Sequence, residues 1–152
     1  MSVKIITNNK KAHFDYFLSD FLECGLELRG TEIKSLRFNS ANIGDSYIII
    51  KHDEMYVLNM NIPIYVQGNL FNHEPLRTRK LLLHKSEIIK FRKKMDEKGF
   101  TIIPTKVYLK DGKAKIEIAL AKGKKLYDKR EDMKNKSIKR DIDRAMKGDK
   151  SE

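Results

Sequence analysis

The residues able to do acid–base or metal chemistry are scattered along the chain. His13, His52, His73 and His84 fall on different expected elements and lack metal-ligand spacing. Cys24 is the single cysteine; it has no CxxC partner, and nothing sets it apart from an ordinary small buried residue. Ala121-Lys122-Gly123-Lys124-Lys125 ends like a phosphate-binding loop, but no glycine sits upstream at the required place. These types and spacings therefore point to no catalytic residues, no metal and no cofactor. What they do offer is cations interleaved with rings. Asn9-Lys10-Lys11-Ala12-His13-Phe14-Asp15-Tyr16 can neutralise phosphates while presenting faces on which bases stack. Phe14 and Tyr16 fit a core equally, with the lysines as plain surface. Arg77, Arg79 and Lys80 form a second cluster with Thr78 in an expected loop, suited to bidentate phosphate contacts or simply to solvation.

Composition narrows the partner. The 152 residues suit one domain, 40% of them are hydrophobic, and 32 Lys and Arg face 21 Asp and Glu, a formal charge of +11. A polyanion, nucleic acid or an anionic membrane, fits that balance. No apolar run approaches the ~18 residues of a membrane span. The N-terminal stretch lacks the apolar region of a signal peptide, and a lone cysteine suits a reducing compartment, so the cytoplasm is expected. Residues 122–152 carry a net +5 against +6 for residues 1–121, which marks a boundary near Ala121. That basic tail has only Ile138, Ile142, Ala145 and Met146 in apolar register and six acids among residues 122–150, a poor membrane anchor.

Strands must position the cations. Ser46–Lys51 and Glu54–Asn59 read as a hairpin across His52-Asp53, and 100–109 with 115–120 as a second hairpin across Asp111-Gly112. Phe14 to Leu28 is apolar, with a bulge or bend expected at Gly25, and Pro104 signals an edge or bulge. Helices are expected over 31–37 and over 86–98, the latter capped by Ser86 and closed by Gly99. The sum is a mainly β chain: an OB-fold-like closed barrel of about six strands, with embedded short helices and a basic C-terminal tail.

Four blocks carry a resemblance. They are Gly30-Thr31-Glu32-Ile33-Lys34-Ser35-Leu36-Arg37, Ala41 to Tyr47, Arg77-Thr78-Arg79-Lys80-Leu81-Leu82-Leu83, and Ala121 to Lys125 followed by Asp128-Lys129-Arg130. In order and spacing, from about Asn9 to Lys134, the chain resembles the SmpB family, the small protein B or SsrA-binding proteins. The resemblance implies an OB-fold core, residues 1–121, and a tail, residues 122–152, disordered when free and helical on the ribosome. It implies binding to the tRNA-like domain of transfer-messenger RNA and its delivery to ribosomes stalled on truncated mRNA. The tail then probes the empty mRNA channel beside the decoding site. Elongation factor Tu and the alanine-charged RNA are implied companions, and no catalytic activity is implied.

Carried over by position, RNA contacts centre on Asn9, Lys10, Lys11, His13 and Phe14, and on Glu23, Leu82 and Lys115. Arg77, Arg79, Lys80, Lys122, Lys124 and Lys125 join them as basic neighbours. On the ribosome the tail is expected to use Tyr127, Asp128, Lys129, Arg130, Lys134, Lys136, Lys139, Arg140 and Arg144. Glu23 cannot attract phosphate, so it must accept a hydrogen bond from RNA or orient a basic neighbour. Leu82 offers apolar contact or is plain core. Many members of the family read Arg-His where this chain has His13-Phe14: the ring can still stack, but the imidazole's hydrogen bonding is lost and His13 is a weaker cation than Arg. The rival reading is a generic OB-fold RNA chaperone or ribosome-associated factor.

Overall fold

The computed structural model describes residues 2–38, 40–66, 72–125, 129–131 and 133–134, with the backbone alone for Lys98. In chain order the elements are β1 (Val3–Asn8), α1 (Lys10–Asp15), β2 (Tyr16–Leu26), α2 (Gly30–Phe38), β3 (Tyr47–Lys51), β4 (Glu54–Leu58), β5 (Arg79–Leu82), α3 (Lys85–Lys98), β6 (Thr101–Lys110) and β7 (Lys113–Gly123). The seven strands run in the order β1-β6-β3-β4-β5-β2-β7, and β6 also pairs with β7. That last pairing closes six strands into an antiparallel ring, and β1 lies along β6 beside it. The expected closed barrel of about six strands is therefore present, with β1 as an addition.

Alternation builds the interior. Ile48, Met55, Val57, Leu81, Ile102, Val107, Ile116, Ile118 and Leu120 point inward and are buried, with Leu36 of α2 and Ile88 and Phe91 of α3 packed against them. Both hairpins form where expected. His52 and Asp53 both take positive φ (51° and 61°), as do Asp111 and Gly112 (51° and 80°), the conformation that tight two-residue hairpin loops demand. The bulge expected near Pro104 falls between Pro104 and Lys106.

Four expectations need correction. Gly25 pairs regularly with Lys115 and Leu82; the irregularity in β2 lies between Ser19 and Leu22, where Asp20 takes φ 53° and pairs with Lys94 of α3. Asp is one of the few residues with a side chain that visits that conformation, whereas Gly25 serves a different need described below. Ser86 is not the cap of α3: the helix starts one residue earlier, and the Glu87 carboxylate accepts the His84 amide at 3.2 Å. Gly99 does close it, at φ 65°. Arg79 and Lys80 lie in β5, not in a loop. Finally, β7 runs to Gly123, three residues beyond the expected end of its strand at Leu120.

Arg79 explains the third of these. It is wholly buried, and its guanidinium donates to Glu32 of α2, to the Met60 carbonyl at 2.6 Å and to the Pro75 carbonyl at 3.1 Å. Arg77 donates to the other Glu32 oxygen at 2.6 Å, and the Arg29 amide reaches the same oxygen at 2.8 Å. Burial pushes the Glu32 carboxyl up, but hydrogen bonds from Arg77, the Arg29 amide and Arg79 outweigh it and hold the group below the usual carboxylate range. A depressed folded pKa adds stability above the ordinary carboxylate range, and that stability is lost as pH falls through the folded value. Glu32→Ala should cost about 3–5 kcal/mol in urea melts, because it strands a buried guanidinium. Glu32→Gln should also flatten the acid limb of a stability–pH curve; an unaltered limb would mean that some other group titrates there.

Candidate RNA interface

The antiparallel register lays out the barrel's outer face residue by residue. Directly opposed residues share a face, so Ile5, Tyr108, Lys115, Gly25 and Leu82 form one row across β1, β6, β7, β2 and β5. Asn8, Lys106, Glu117 and Glu23 form the next, and Val3, Lys110 and Lys113 flank the first on its other side. Four lysines against two glutamates make this face net positive. Leu82 is half exposed, which settles its direction outward. Gly25 makes room for it: a Cβ there would stand 3.1 Å from the Leu82 Cβ, closer than packed carbons normally sit.

Glu23 is the hub of the face. The Tyr108 hydroxyl donates to it, and Lys110 Nζ lies 3.6 Å away. The Tyr108 hydrogen bond, reinforced by Lys110 and Lys115 against a smaller effect of burial, holds the Glu23 carboxyl below its ordinary range. Burial and the same carboxylate push the Tyr108 phenol up, so it stays a donor. Lys106 Nζ sits 5.6 Å from the centre of the Tyr108 ring and 4.0 Å from Glu117, whose carboxylate also accepts the Thr105 hydroxyl at 2.6 Å. Of the two roles open to Glu23, orienting basic neighbours is the one this geometry supports. Tyr108, Lys106 and Lys110 were not among the sequence candidates. Their signal was the period-2 pattern of β6 and β7, which puts them beside Lys115.

Elsewhere the candidates divide. Asn9 is buried and committed: its side chain caps α1 through the Ala12 amide at 3.0 Å and donates to the Ile43 and Pro104 carbonyls at 3.1 and 2.9 Å. Arg79 is equally committed. Both side chains are buried with their polar atoms bonded inside the fold, which gives them a structural role here. Arg77 is turned mostly toward Glu32. Lys80 points outward, 3.4 Å from Glu54. Lys10 and His13 are exposed on α1, and Lys11 pairs with Asp45 at 3.1 Å.

A second cluster joins α1, β2 and the start of the tail. Lys124 Nζ lies 5.1 Å from the centre of the half-exposed Phe17 ring, and its amide donates to the Asp15 carbonyl at 2.8 Å. Lys129 Nζ is 3.1 Å from the Asp15 carboxylate and 6.0 Å from the Phe14 ring centre. Lys122 and Lys125 are exposed beside it, and residues 129–131 and 133–134 are helical, with Arg130 and Lys134 exposed. Tyr127, Asp128, Lys136, Lys139, Arg140 and Arg144 lie outside the described residues.

The rest of the surface offers little chemistry. Cys24 is buried, and burial pushes its thiol up to about 12, far from a reactive thiolate. Among the described residues no three His, Cys, Asp or Glu gather as for a metal, and no helix is long and apolar enough to cross a membrane.

Known proteins match this arrangement over nearly its full length. The family model described as SmpB protein matches residues 6–148. The chain belongs to the SmpB family. An SsrA-binding protein of Pelotomaculum thermopropionicum is 52% identical over 147 residues, covering 97% of this chain and 96% of the relative. One from Staphylococcus carnosus is 55% identical over 142 residues, covering 93% and 91%. A solved chain described under "tmRNA-SmpB: a journey to the center of the bacterial ribosome" superposes with a TM-score of 0.68 at 38% identity, over 81% of this chain and 86% of that one. Within the family frame, the Tyr108–Glu23 bond is open to a direct check. In Tyr108→Phe the Glu23 carboxyl should titrate at higher pH by NMR, since its first stabilising partner is gone. An unshifted Glu23 would assign the low value to the lysines instead.

Proposed function

We infer that this chain is an RNA-binding protein of trans-translation, which holds the tRNA-like domain of transfer-messenger RNA against the outer barrel face and brings it to stalled ribosomes. The observation that carries this reading is the match of barrel and tail together to relatives named for SsrA binding. The physical layout supports it. Lys106, Lys110, Lys113 and Lys115 supply the charge that draws in phosphates, and Glu23 spaces two of them. Leu82 and Ile5 add exposed apolar surface at opposite ends of the Lys115 row, suited to sugars and base faces. Lys10, Lys11, His13 and Phe14 of α1 extend the surface toward Lys122, Lys124 and Lys125. The protein acts by binding, in the cytoplasm, with no reaction of its own.

The tail enters the mRNA channel left empty by a truncated message, and its cations face ribosomal RNA there. Residues up to Lys125 belong with the barrel, because β7 ends at Gly123 and the Lys124 amide is bonded to Asp15. Delivery runs with elongation factor Tu and the alanine-charged RNA.

Two measurements test this. Lys115→Ala should weaken transfer-messenger RNA binding without lowering the melting temperature, because a solvated lysine adds little to folding. Log affinity against log salt should fall with a slope of roughly 0.7–0.9 per phosphate contact, and be shallower by about that much in the mutant. Deleting residues 126–152 should preserve RNA binding and abolish tagging in a reconstituted assay on stalled ribosomes. Full tagging without the tail refutes the channel role, and lost RNA binding moves the main site into the tail.

A further inference from the structure

One exposed aromatic pair takes no part in the interface described above. Phe38, the last residue of α2, is 74% exposed, and its ring stacks on Tyr65 with centroids 6.2 Å apart and planes 20° from parallel. Lys34, one turn back on α2, sits 5.9 Å from the centre of the Tyr65 ring. Arg37 is exposed beside them, and the Lys4 ammonium caps the helix end by donating to the Arg37 carbonyl at 2.9 Å. Cations therefore ring the pair. The one carboxylate of α2, Glu32, faces inward and is already taken by two arginines.

The pair is also held still. Asn72 accepts the Tyr65 amide at 3.1 Å and donates back to the Tyr65 carbonyl, so one side chain clamps both backbone groups of that residue. The Ser35 hydroxyl donates to the Pro63 carbonyl at 2.6 Å, tying α2 to the segment that carries Tyr65. His73 spans the same two parts, with Nε2 2.8 Å from the Ile62 carbonyl and Nδ1 3.0 Å from the Thr31 hydroxyl. The exposed Phe38 ring thus sits on a fixed scaffold.

We propose that Phe38, stacked on Tyr65 and flanked by Lys34 and Arg37, is a second RNA contact that takes an unpaired base of ribosomal RNA. A flat ring with a free face suits any base, and adjacent cations suit the phosphates on either side of it. Among the described residues the charges beside the ring are the cations Lys34 and Arg37, which suit a polyanion better than a protein partner of mixed charge, and Ile64 and Val66 are exposed next to Tyr65. The platform lies on α2 and Tyr65, not on the β1, β6, β7, β2 and β5 face assigned to transfer-messenger RNA, so it is left for the other polyanion of the complex. The identity of that RNA rests on the ribosome-rescue reading.

The test uses the full-length protein, bacterial small ribosomal subunits and transfer-messenger RNA in parallel titrations. Phe38→Ala should weaken subunit binding by roughly five- to hundredfold, the range expected for one lost base stack. Affinity for transfer-messenger RNA and the melting temperature should stay unchanged, and Phe38→Tyr should restore subunit binding. Chemical probing of the subunit should show a base protected by the wild type and not by Phe38→Ala. Unchanged subunit binding overturns the proposal, as does an equal loss on transfer-messenger RNA, which would place Phe38 in the first interface. Weakened subunit binding with no base losing protection assigns the platform to a ribosomal protein and overturns it too. Failure of the wild type itself to bind subunits would instead bring down the ribosome reading, and this assignment with it.

Discussion

A single buried carboxylate sets the geometry on which both surfaces depend. Glu32 receives Arg79, Arg77 and the Arg29 amide, and Arg79 in turn reaches the Met60 and Pro75 carbonyls. The partners come from the start of α2, from Met60 and from the stretch Pro75 to Arg79. The start of α2, the strand β5 and the connection that leads into it from β4 are locked together at one point. A buried ion pair of this kind contributes less net stability than its Coulomb energy suggests, since both charges leave water. Its value lies in what it specifies. With Arg79 inward, alternation sends Lys80 and Leu82 outward, and with Glu32 inward, Lys34 and Phe38 of α2 face solvent. Shifting β5 by one residue would bury Lys80 and Leu82 and turn Arg79 out, so the pair also guards strand register.

The outer face gathers cations without becoming an undirected positive patch. Lys110 and Lys115 would repel one another across the sheet without a nearby carboxylate. Glu23 supplies it: Lys110 Nζ lies 3.6 Å from its carboxylate, whose position is fixed by the Tyr108 hydroxyl. Lys106 is placed in the same way by the Tyr108 ring and Glu117. Each lysine thus keeps its charge available while its direction is restricted, which lowers the ordering cost of meeting a phosphate. A carboxylate among these lysines is then no contradiction: it holds Lys110 and is itself held by Tyr108.

Much of this was legible in the sequence, for reasons that differ by element. Asp111-Gly112 marks its hairpin because only a few residue types tolerate positive φ in sequence, and Gly99 marks the end of α3 on the same ground. The barrel's mainly β character follows from runs of β-branched residues that no helix would use. Arg79 misled because local composition cannot tell a solvated arginine from one paired across 47 positions. Only the alternation Arg79-Lys80-Leu81-Leu82, read as a strand, hints that Arg79 shares a side with Leu81. Gly25 misled in a related way: its need is room for Leu82 on the neighbouring strand, and no local rule contains that distance. β1 escaped notice because its Val3 and Ile5 are exposed and only Ile6 meets the core, so its pattern is weak. The lysine face was half visible, since Lys115 came from family likeness while its neighbours needed the register.

The junction between barrel and tail follows from the same economy of charge. Lys124 and Lys129 fold back onto Phe17, Phe14 and Asp15. These are partly exposed contacts of ammonium groups with rings and a carboxylate, each worth about 0–1 kcal/mol and screened by salt. They differ in kind from the Glu32 cluster, where removing one partner strands a buried charge. A polyanion arriving at α1 meets cations that are already directed but only lightly held, and it can take them over at small cost. The barrel is thus joined by expensive, fully satisfied bonds, while the start of the tail rests on bonds that a phosphate can replace. That division sets a firmly fixed barrel against a lightly held start of the tail.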